Sequence, residues 1–477
     1  RRRRRRSAQP CCRQVATRWP PAAATAAAGA GAVGWLLLVG AAVVAGVGEM
    51  ASNASGAGAG TGAAPTTALE RTVGLGLAAV QQAGAHATQA REWESSIAME
   101  ELGTLLETLE SLVALAQEQP PAQAGGAAAA EAGFAPTTEQ AEEIAACLHK
   151  MSHLVEEEDR KYNVAIGDTS ERVRLLHPVG KMQSMLRDRS KAFDIMSQAL
   201  SVPHRNRRIP SCVKAAIARY TLTMISFQFQ YPLDDEGVFE ETRKYAQLDK
   251  LLDPTHDKEE ELNEFAVRTY CIGLVAMALI NEEVCQELMA TNYAKNAMQY
   301  VSVAILGHTA LPEEEQNSER AKGYKHDKDW YLANPVCEDS LNFEGLCCDR
   351  LRYCVQIVAQ LGEYNETLAT ILPHKPVQVL MQLLRPGMSR NILLLLEALH
   401  LAGVLLGHRK LAIELVDAGI VKAFLKLPRL DTVNEGVAFC LQRLQGVSQA
   451  MEMVSASPPA MRAELMKLVC NFISSGN

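Results

Sequence analysis

The chain has 477 residues, of which 48% are hydrophobic and only 5% aromatic, and its formal net charge is −8 at pH 7. A chain of this length can bury a large core in one long domain or two ordinary ones. The acidic balance argues against a nucleic-acid binder, because such proteins gain affinity by neutralising phosphates with Lys and Arg. We therefore expect no specific nucleic-acid partner.

The first 49 residues differ from the rest of the chain. A basic block, Arg1–Arg6, precedes an uncharged apolar segment at residues 28–48, and this pattern is typical of a signal peptide or signal anchor. The first methionine is Met50, and the sequence that follows it resembles a translation start. We therefore expect residues 1–49 to be upstream sequence translated in frame, and a membrane anchor at residues 28–48 is the alternative.

The composition after Met50 changes in steps. Residues 50–66 are rich in Gly, Ala and Ser, which predicts disorder. Residues 67–118 carry apolar side chains at helical spacing, which predicts a helical extension, and residues 119–136 form a linker rich in Pro, Gly and Ala. The apolar stripe of the extension consists of Leu102, Leu105, Leu106, Leu109, Leu112 and Val113.

Residues 137–477 show an almost entirely helical pattern without convincing strand alternation, apart from a predicted loop at about 311–345. The segment from Thr138 to Glu142 resembles a capped helix start. Glu156–Glu158, further along the same helix, is interpreted as a solvated face. The apolar face of this helix consists of Ile144, Cys147, Leu148, Met151, Leu154 and Val155.

An internal repeat is visible in the last third of the chain. The segment "LATILPHKPVQVLMQLL" aligns with "LAIELVDAGIVKAFLKL" at a shift of 43 residues, from Leu368 to Leu411. An earlier unit lies at Glu287–Tyr300 and a weaker one at Ala450–Val469. A helix-pair unit recurring at about 40–47 residues indicates an armadillo or HEAT-type solenoid. The predicted fold is therefore an all-α, armadillo/HEAT-like helical-repeat solenoid with a disordered Gly/Ala-rich N-terminal extension.

Gly419 explains how one helix of a unit ends and the next begins without a loop. Glycine adopts the left-handed conformation without a Cβ penalty, and Asn292, which aligns with Gly419, also tolerates that conformation. Ile420, Phe424 and Leu427 then form an apolar stripe, so we expect Phe424 to be buried. Stacked units of this kind form an elongated superhelix with a long groove.

Phosphate-binding and kinase motifs do not emerge from the sequence. Gly29, Gly31 and Gly34 match a dinucleotide-binding fingerprint, but they lie in low-complexity sequence with no preceding strand. Gly180-Lys181 lacks the other residues of a phosphate-binding loop. Neither H-R-D nor D-F-G occurs, so the catalytic carboxylates of a kinase are missing. We expect no enzyme activity, no catalytic residues and no cofactor.

Several cysteines and one histidine are candidate metal ligands. The chain has 12 Cys and no C-x-x-C pair, whereas strong zinc sites pair their ligands at short spacing. The candidates for zinc are Cys337, Cys347, Cys348, Cys354 and the nearby His326. Apolar helical patterns instead predict buried, reduced thiols at Cys271, Cys285, Cys354, Cys440 and Cys470. We expect no metal site.

Three further polar features have alternative interpretations. Pro203–Arg208 is a short basic turn, interpreted as a solvated loop or as a contact for an acidic partner. His400 and His408 flank an apolar run and are interpreted as surface residues or as hydrogen-bonded interior residues.

The segment Glu397–Val454 resembles the amino-terminal armadillo-like region of the Vpr-binding protein or mahjong family of cullin-4-associated substrate receptors. The resemblance covers roughly residues 137–477, and three further segments follow the order of the family: Leu148–Tyr162, Arg268–Leu288 and Leu361–Pro373. The Lis-homology motif, the WD-repeat propeller and the acidic tail of the family would lie beyond Asn477, so we expect the chain to be a fragment.

The resemblance implies a non-catalytic scaffold of the nucleus and cytoplasm that presents substrates to a cullin-4 RING ubiquitin ligase. The implied partners are ubiquitin-ligase substrates and regulators. Family members dock on the DNA-damage-binding adaptor and cullin-4 through the propeller and its Trp-Asp boxes, and no Trp-Asp pair occurs in this chain. The alternative is an unrelated helical-repeat interaction adaptor, anchored in a membrane if residues 28–48 are present.

Overall fold

The structure is a computed structural model that describes residues 98–116, 136–165, 178–188, 209–225, 236–248, 261–310 and 341–474. Within these ranges the regular structure is entirely helical. The α-helices in chain order are α1 (98–116), α2 (Thr138–Ala165), α3 (Pro178–Asp188), α4 (Ser211–Met224), α5 (Glu236–Tyr245), α6 (Leu262–Ala278), α7 (Glu282–Met289), α8 (Tyr293–Leu306), α9 (Phe343–Gly362), α10 (Asn365–Ile371), α11 (Pro376–Leu383), α12 (Ile392–Leu406), α13 (Arg409–Asp417), α14 (Ile420–Lys426), α15 (Asp431–Gln445), α16 (Ser448–Ser455) and α17 (Pro459–Ser474).

Some sequence predictions lie outside the described residues. These are the predictions for residues 1–97, for residues 119–135 of the predicted linker at 119–136, and for the basic turn Pro203–Arg208. The predicted loop at about 311–345 also lies outside up to residue 340, but α9 begins at Phe343, so the last residues assigned to that loop are helical.

The helices form a solenoid because consecutive long helices pack side by side. These helices are α2, α4, α6, α9, α12 and α15, here called the central row, and each packs against the next. Two shorter helices separate successive members from α6 onward, and these outer helices stack as well: α8 on α11, α13 on α16 and α14 on α17. The predicted all-α helical solenoid is confirmed.

Two apolar cores hold the solenoid together, and they meet at α4. One core contains Ala216 and Ile217 of α4 together with residues of α1, α2 and α3. The other contains Ala215 and Ala218 of α4 and continues through the units as far as α17. Because α4 contributes to both cores, it joins the amino-terminal helices to the repeats.

The start of α2 is capped one residue earlier than the sequence suggested. The Gln140 backbone N–H donates to Thr137 Oγ1 at 3.3 Å, and the Thr137 N–H donates to Gln140 Oε1 at 3.0 Å. This reciprocal pair is a capping box that satisfies two donors at the helix start. Most of the predicted apolar face residues are buried: Leu102, Leu106, Leu109 and Val113 of α1 and Ile144, Cys147, Leu148, Met151 and Val155 of α2. Leu105, Leu112 and Leu154 are half-buried and pack against the same core.

Gly419 forms the predicted turn between α13 and α14. Its φ of 91° and ψ of 29° lie in the left-handed region, and α14 begins at the next residue. The Gly419 N–H donates to the Val416 carbonyl at 3.0 Å, so the turn closes α13 before α14 starts. Phe424 of α14 is 0% exposed, as predicted.

The repeat register is 44 residues at this turn, one more than the sequence alignment gave. Lys375, with φ 55° and ψ 48°, is the counterpart of Gly419, and it precedes α11 as Gly419 precedes α14. The buried positions agree with this shift: Thr367, Ile371, Pro376, Leu380 and Leu383 correspond to Leu411, Leu415, Ile420, Phe424 and Leu427. The 43-residue alignment instead used Leu368, Leu372, Val377 and Met381, which are only half-buried.

Asn292 does not adopt the left-handed conformation that its alignment with Gly419 suggested. Its φ is −83° and its ψ is 16°. The connection from α7 to α8 has three residues, Ala290–Asn292, whereas two residues join α13 to α14. The Thr291 hydroxyl donates to the Leu288 carbonyl at 2.7 Å and accepts from the Tyr293 N–H at 3.2 Å. The additional residue therefore closes the turn without a positive φ.

Gly419→Ala should lower the free energy of unfolding by about 1–2 kcal/mol, because an L-residue is strained at positive φ. Gly103→Ala in α1 is the matched control and should raise it by about 0.5–1 kcal/mol through helix propensity. A Cβ at either position meets no heavy atom within 4 Å, so the two changes differ in backbone conformation alone. Urea denaturation measures both. Stabilisation by Gly419→Ala would contradict the left-handed turn.

Candidate protein-binding surface

Glycines let neighbouring helices of the central row approach each other closely. A Cβ at Gly273 of α6 would lie 2.9 Å from the Tyr353 ring of α9, and a Cβ at Gly403 of α12 would overlap the Phe439 ring of α15. Only a hydrogen atom fits at either contact, so in both cases an aromatic ring of the following helix covers a glycine of the preceding one. Both glycines are the twelfth residue of their helix.

Two groups of polar and aromatic side chains lie on α9, α12 and α15, and together they are here called the central strip. Its members are Asp349, Arg352, Glu363, His400, Phe439 and Arg443. On α9 the Arg352 guanidinium lies 3.6 Å from Asp349 and donates to the Tyr353 hydroxyl at 2.9 Å. The rings of His400 and Phe439 lie 6.2 Å apart.

Arg443 connects the two ends of the central strip. Its guanidinium donates to Glu363 Oε1 at 2.7 Å and lies 5.1 Å from the centre of the Phe439 ring. Because Glu363 follows α9 directly, this ion pair joins the first and the third helix of the strip across α12. Both partners are partly exposed, so the pair adds little stability, but it fixes the orientation of the side chains on the surface.

An ion pair between a buried arginine and a partly exposed glutamate joins α2 to α4 at the amino-terminal end of the row. Arg219 is 0% exposed, and its guanidinium donates to both carboxylate oxygens of Glu156, at 3.0 and 2.7 Å. Glu158 is also buried. The prediction that Glu156–Glu158 is a solvated face is wrong for Glu158 but holds in part for Glu156 and Glu157, whose side chains are 38% and 37% exposed. Glu156 also neutralises the buried Arg219 charge.

His149 completes this buried cluster. Its Nδ1 lies 3.3 Å from a terminal nitrogen of Arg219. Burial, with a further contribution from the Arg219 charge, lowers the pKa of His149 to about 3. The imidazole is therefore neutral at physiological pH and can accept a hydrogen bond from Arg219.

The candidate zinc ligands that lie within the described residues are buried in α9. Burial raises the pKa of the Cys348 and Cys354 thiols to about 12, so they are protonated at neutral pH. Cys337 and His326 lie outside the described residues. Across the described ranges, no group of three or more His, Cys, Asp or Glu side chains could hold a metal ion.

The other cysteine predictions are confirmed with one exception. Cys271, Cys285 and Cys440 are buried free thiols, whereas Cys470 is exposed. Leu465, Leu468 and Val469 occupy the core-facing side of α17, and Cys470 lies on the other side. The apolar pattern at the end of α17 had suggested a wider buried face.

The remaining candidate residues have ordinary structural environments. His408 Nε2 is hydrogen-bonded to the Gly362 carbonyl at 2.9 Å, and His400 is only 9% exposed, so both fit the predicted hydrogen-bonded or interior roles. Gly180 and Lys181 lie inside α3, where no phosphate-binding loop exists. Gly29, Gly31 and Gly34 lie outside the described residues.

The described helices were also compared with the requirements for a membrane span. No single one of them is both long and apolar enough to cross a bilayer. The pair α6 and α7 passes by length and composition only when taken together, and it is bent by 116° at the break. The apolar segment at residues 28–48 lies outside the described ranges.

Comparison with known proteins finds a family match for the helices from α9 to α16. Residues 348–458 match the Mahjong helical domain. This match covers most of α9, all of α10–α16 and therefore the whole central strip. The resemblance predicted from the sequence is thus supported for this part of the chain.

Individual relatives agree with the domain match. The chain is 31% identical over 144 residues to the DDB1- and CUL4-associated factor homolog 1 of Arabidopsis thaliana, covering 29% of the chain and 8% of the plant protein. It is 30% identical over 103 residues to the protein of the same name from Caenorhabditis elegans, covering 22% and 6%. It is 28% identical over 113 residues to Protein mahjong of Drosophila melanogaster, covering 24% and 7%. Less than a tenth of each relative is thus covered.

Sequence reasoning missed the two glycine–aromatic contacts and the buried Arg219 pair. An isolated glycine inside an apolar helix signals close packing, so Gly273 and Gly403 could have been singled out. The pairing of Glu156 with Arg219 joins residues that are 63 positions apart, and no local pattern predicts it.

His149→Gln should make folding less sensitive to acid. The folded-state pKa of about 3 lies below the unfolded value of 6.5, so below pH 6.5 protons bind preferentially to the unfolded chain. As the pH falls below 6.5, the free energy of unfolding of the unmodified protein should therefore drop by roughly 1 kcal/mol per pH unit. The variant lacks the imidazole and should not show this loss. Urea denaturation at pH 7.5, 5.5 and 4.5 measures the difference. Parallel pH profiles for the two proteins would contradict a neutral, buried His149.

Proposed function

We propose that this chain is a non-catalytic scaffold that recruits substrates as part of a cullin-4 RING ubiquitin ligase substrate receptor, and thereby acts in protein ubiquitination. The observation that carries the proposal is the match of residues 348–458 to the Mahjong helical domain. The names of two relatives place them with DDB1 and CUL4, and we extend that association to this chain.

The architecture supports a role in protein binding. Stacked helical units form an extended surface, and affinity at such surfaces comes from a few well-placed anchors, often aromatic or Arg side chains. The central strip offers Phe439 and Arg443, whose positions are fixed by Gly403 and Glu363. We therefore assign substrate or regulator binding to the armadillo-like repeats.

The chemistry of the described residues supports a non-catalytic role. Burial raises the pKa of the Cys285 thiol to about 11 and that of Cys271 to about 12, so neither is a thiolate nucleophile at neutral pH. In the proposed arrangement the transfer of ubiquitin belongs to the other subunits of the ligase. We place the protein in the nucleus and cytoplasm.

A two-part experiment tests the proposal. Tagged chain is captured from cells, and the ubiquitination of the captured proteins is measured by quantitative mass spectrometry with and without depletion of cullin-4. We expect ubiquitination of these proteins to fall when cullin-4 is depleted. Unchanged ubiquitination of all captured proteins would overturn the cullin-4 assignment.

The second part tests whether the helical repeats bind the DDB1 adaptor by themselves. The purified chain is mixed with the DDB1 adaptor and analysed by size-exclusion chromatography in moderate salt. No stoichiometric complex should form, because docking in the family uses Trp-Asp boxes, whereas the four Trp of this chain are followed by Pro, Leu, Glu and Tyr. A stable complex would mean that the helical repeats themselves carry a docking surface for the adaptor.

A further inference from the structure

A cavity opens between the outer helices α14 and α17 and the start of α15. It has a volume of about 400 Å³. Leu425 and Leu468 supply apolar lining, and Arg429, Asn434, Glu464 and Lys467 supply polar lining. The volume lies in the range of known ligand sites, which have about 300–1,000 Å³. It can hold an apolar side chain together with adjacent polar groups.

Two exposed cations, Arg429 and Lys467, line this cavity, and two more, Lys422 and Lys426, lie on α14; the four together are here called the basic rim. Lys422 and Lys426 lie on one face of α14, Arg429 follows that helix, and Lys467 lies on α17; all four are exposed. Among the described residues, the three lysines form no ion pair, and Arg429 donates at 2.9 Å to a neutral carbonyl, that of Leu425. Glu464 is the single carboxylate in the cavity lining.

One cation of the neighbouring helix α13 behaves differently. Lys410 lies 4.0 Å from Glu414, and Arg409 donates to Gln449 of α16 at 3.1 Å. On α13 Lys410 thus has a carboxylate partner, whereas Arg409, like Arg429, donates to a neutral oxygen. A row of uncompensated positive charges beside a cavity attracts a negatively charged ligand.

Asn434 adds a requirement for a hydrogen-bond donor. It lines the cavity, and its buried Oδ1 has no hydrogen-bond partner in the described part of the chain. A ligand N–H would supply the missing hydrogen bond once the Asn434 side chain turns its oxygen toward the cavity. The main chain of a peptide supplies such donors, whereas the phosphodiester backbone of a nucleic acid does not.

We propose that the cavity and the basic rim bind an acidic segment of a partner protein, in which an apolar side chain is flanked by carboxylates. The apolar side chain lies between Leu425 and Leu468, the carboxylates pair with the basic rim, and a main-chain N–H approaches Asn434. The proposal does not depend on the cullin-4 assignment.

The test uses the full chain and a short fluorescein-labelled peptide in which one leucine is flanked on both sides by glutamates. Fluorescence anisotropy measures the affinity of this peptide. An unlabelled peptide with glutamine in place of glutamate and a short DNA oligonucleotide serve as competitors. Arg429→Glu combined with Lys467→Glu should weaken binding by about tenfold or more, because attractive pairs are replaced by repulsion. Asn434→Ala should also weaken binding by about two- to fivefold.

Arg409→Glu combined with Lys410→Glu on α13 is the matched control, since it changes the net charge equally outside the basic rim. It should alter affinity by less than about twofold. An equal loss in the control would mean attraction by overall charge and would overturn the site. Absence of peptide binding, or tighter binding of the DNA, would overturn the acidic-segment proposal. If circular dichroism shows that the double Glu variant is unfolded, Arg429→Gln with Lys467→Gln takes its place with the same expected direction.

Discussion

The close approach of consecutive helices in the central row is the constraint on which the rest of the structure depends. At Gly273 and Gly403 the aromatic ring of the following helix occupies the space that a Cβ would need. This proximity lets each unit bury its apolar stripe against its neighbour, which a single helix unit cannot do alone. The short outer helices, the left-handed turn at Gly419 and the apolar core through α17 all follow from this stacking.

The same packing produces two surfaces with different properties. On the central row, Phe439 packs over Gly403 and Arg443 pairs with Glu363, so these side chains have defined neighbours before any partner binds. On the outer helices α14 and α17, the basic rim has no carboxylate partners among the described residues. A fixed surface favours shape-selective binding, whereas an uncompensated charge favours fast encounter with an oppositely charged partner.

Local patterns in the sequence predicted those features that depend on neighbouring residues, such as the helical solenoid, the turn at Gly419 and the burial of Phe424. The predicted repeat length was one residue too short at Lys375. Apolar residues occupy adjacent positions there, so an alignment shifted by one residue still matches apolar residues with apolar residues. The roles of Glu156 and Arg219 could not be predicted, since their pairing depends on how α2 lies against α4. The exposure of Cys470 was also not predicted, because a helical apolar pattern does not determine how wide the buried face of the helix is.

A double-mutant cycle between Gly403 and Phe439 tests the packing constraint most directly. Gly403→Ala alone should destabilise the protein by about 1–3 kcal/mol, because the new methyl group has to displace the ring. In a Phe439→Ala background the same change should be neutral or stabilise by up to about 1 kcal/mol through helix propensity. Urea denaturation of the four proteins gives the coupling energy. An equal cost of Gly403→Ala in both backgrounds would contradict the account.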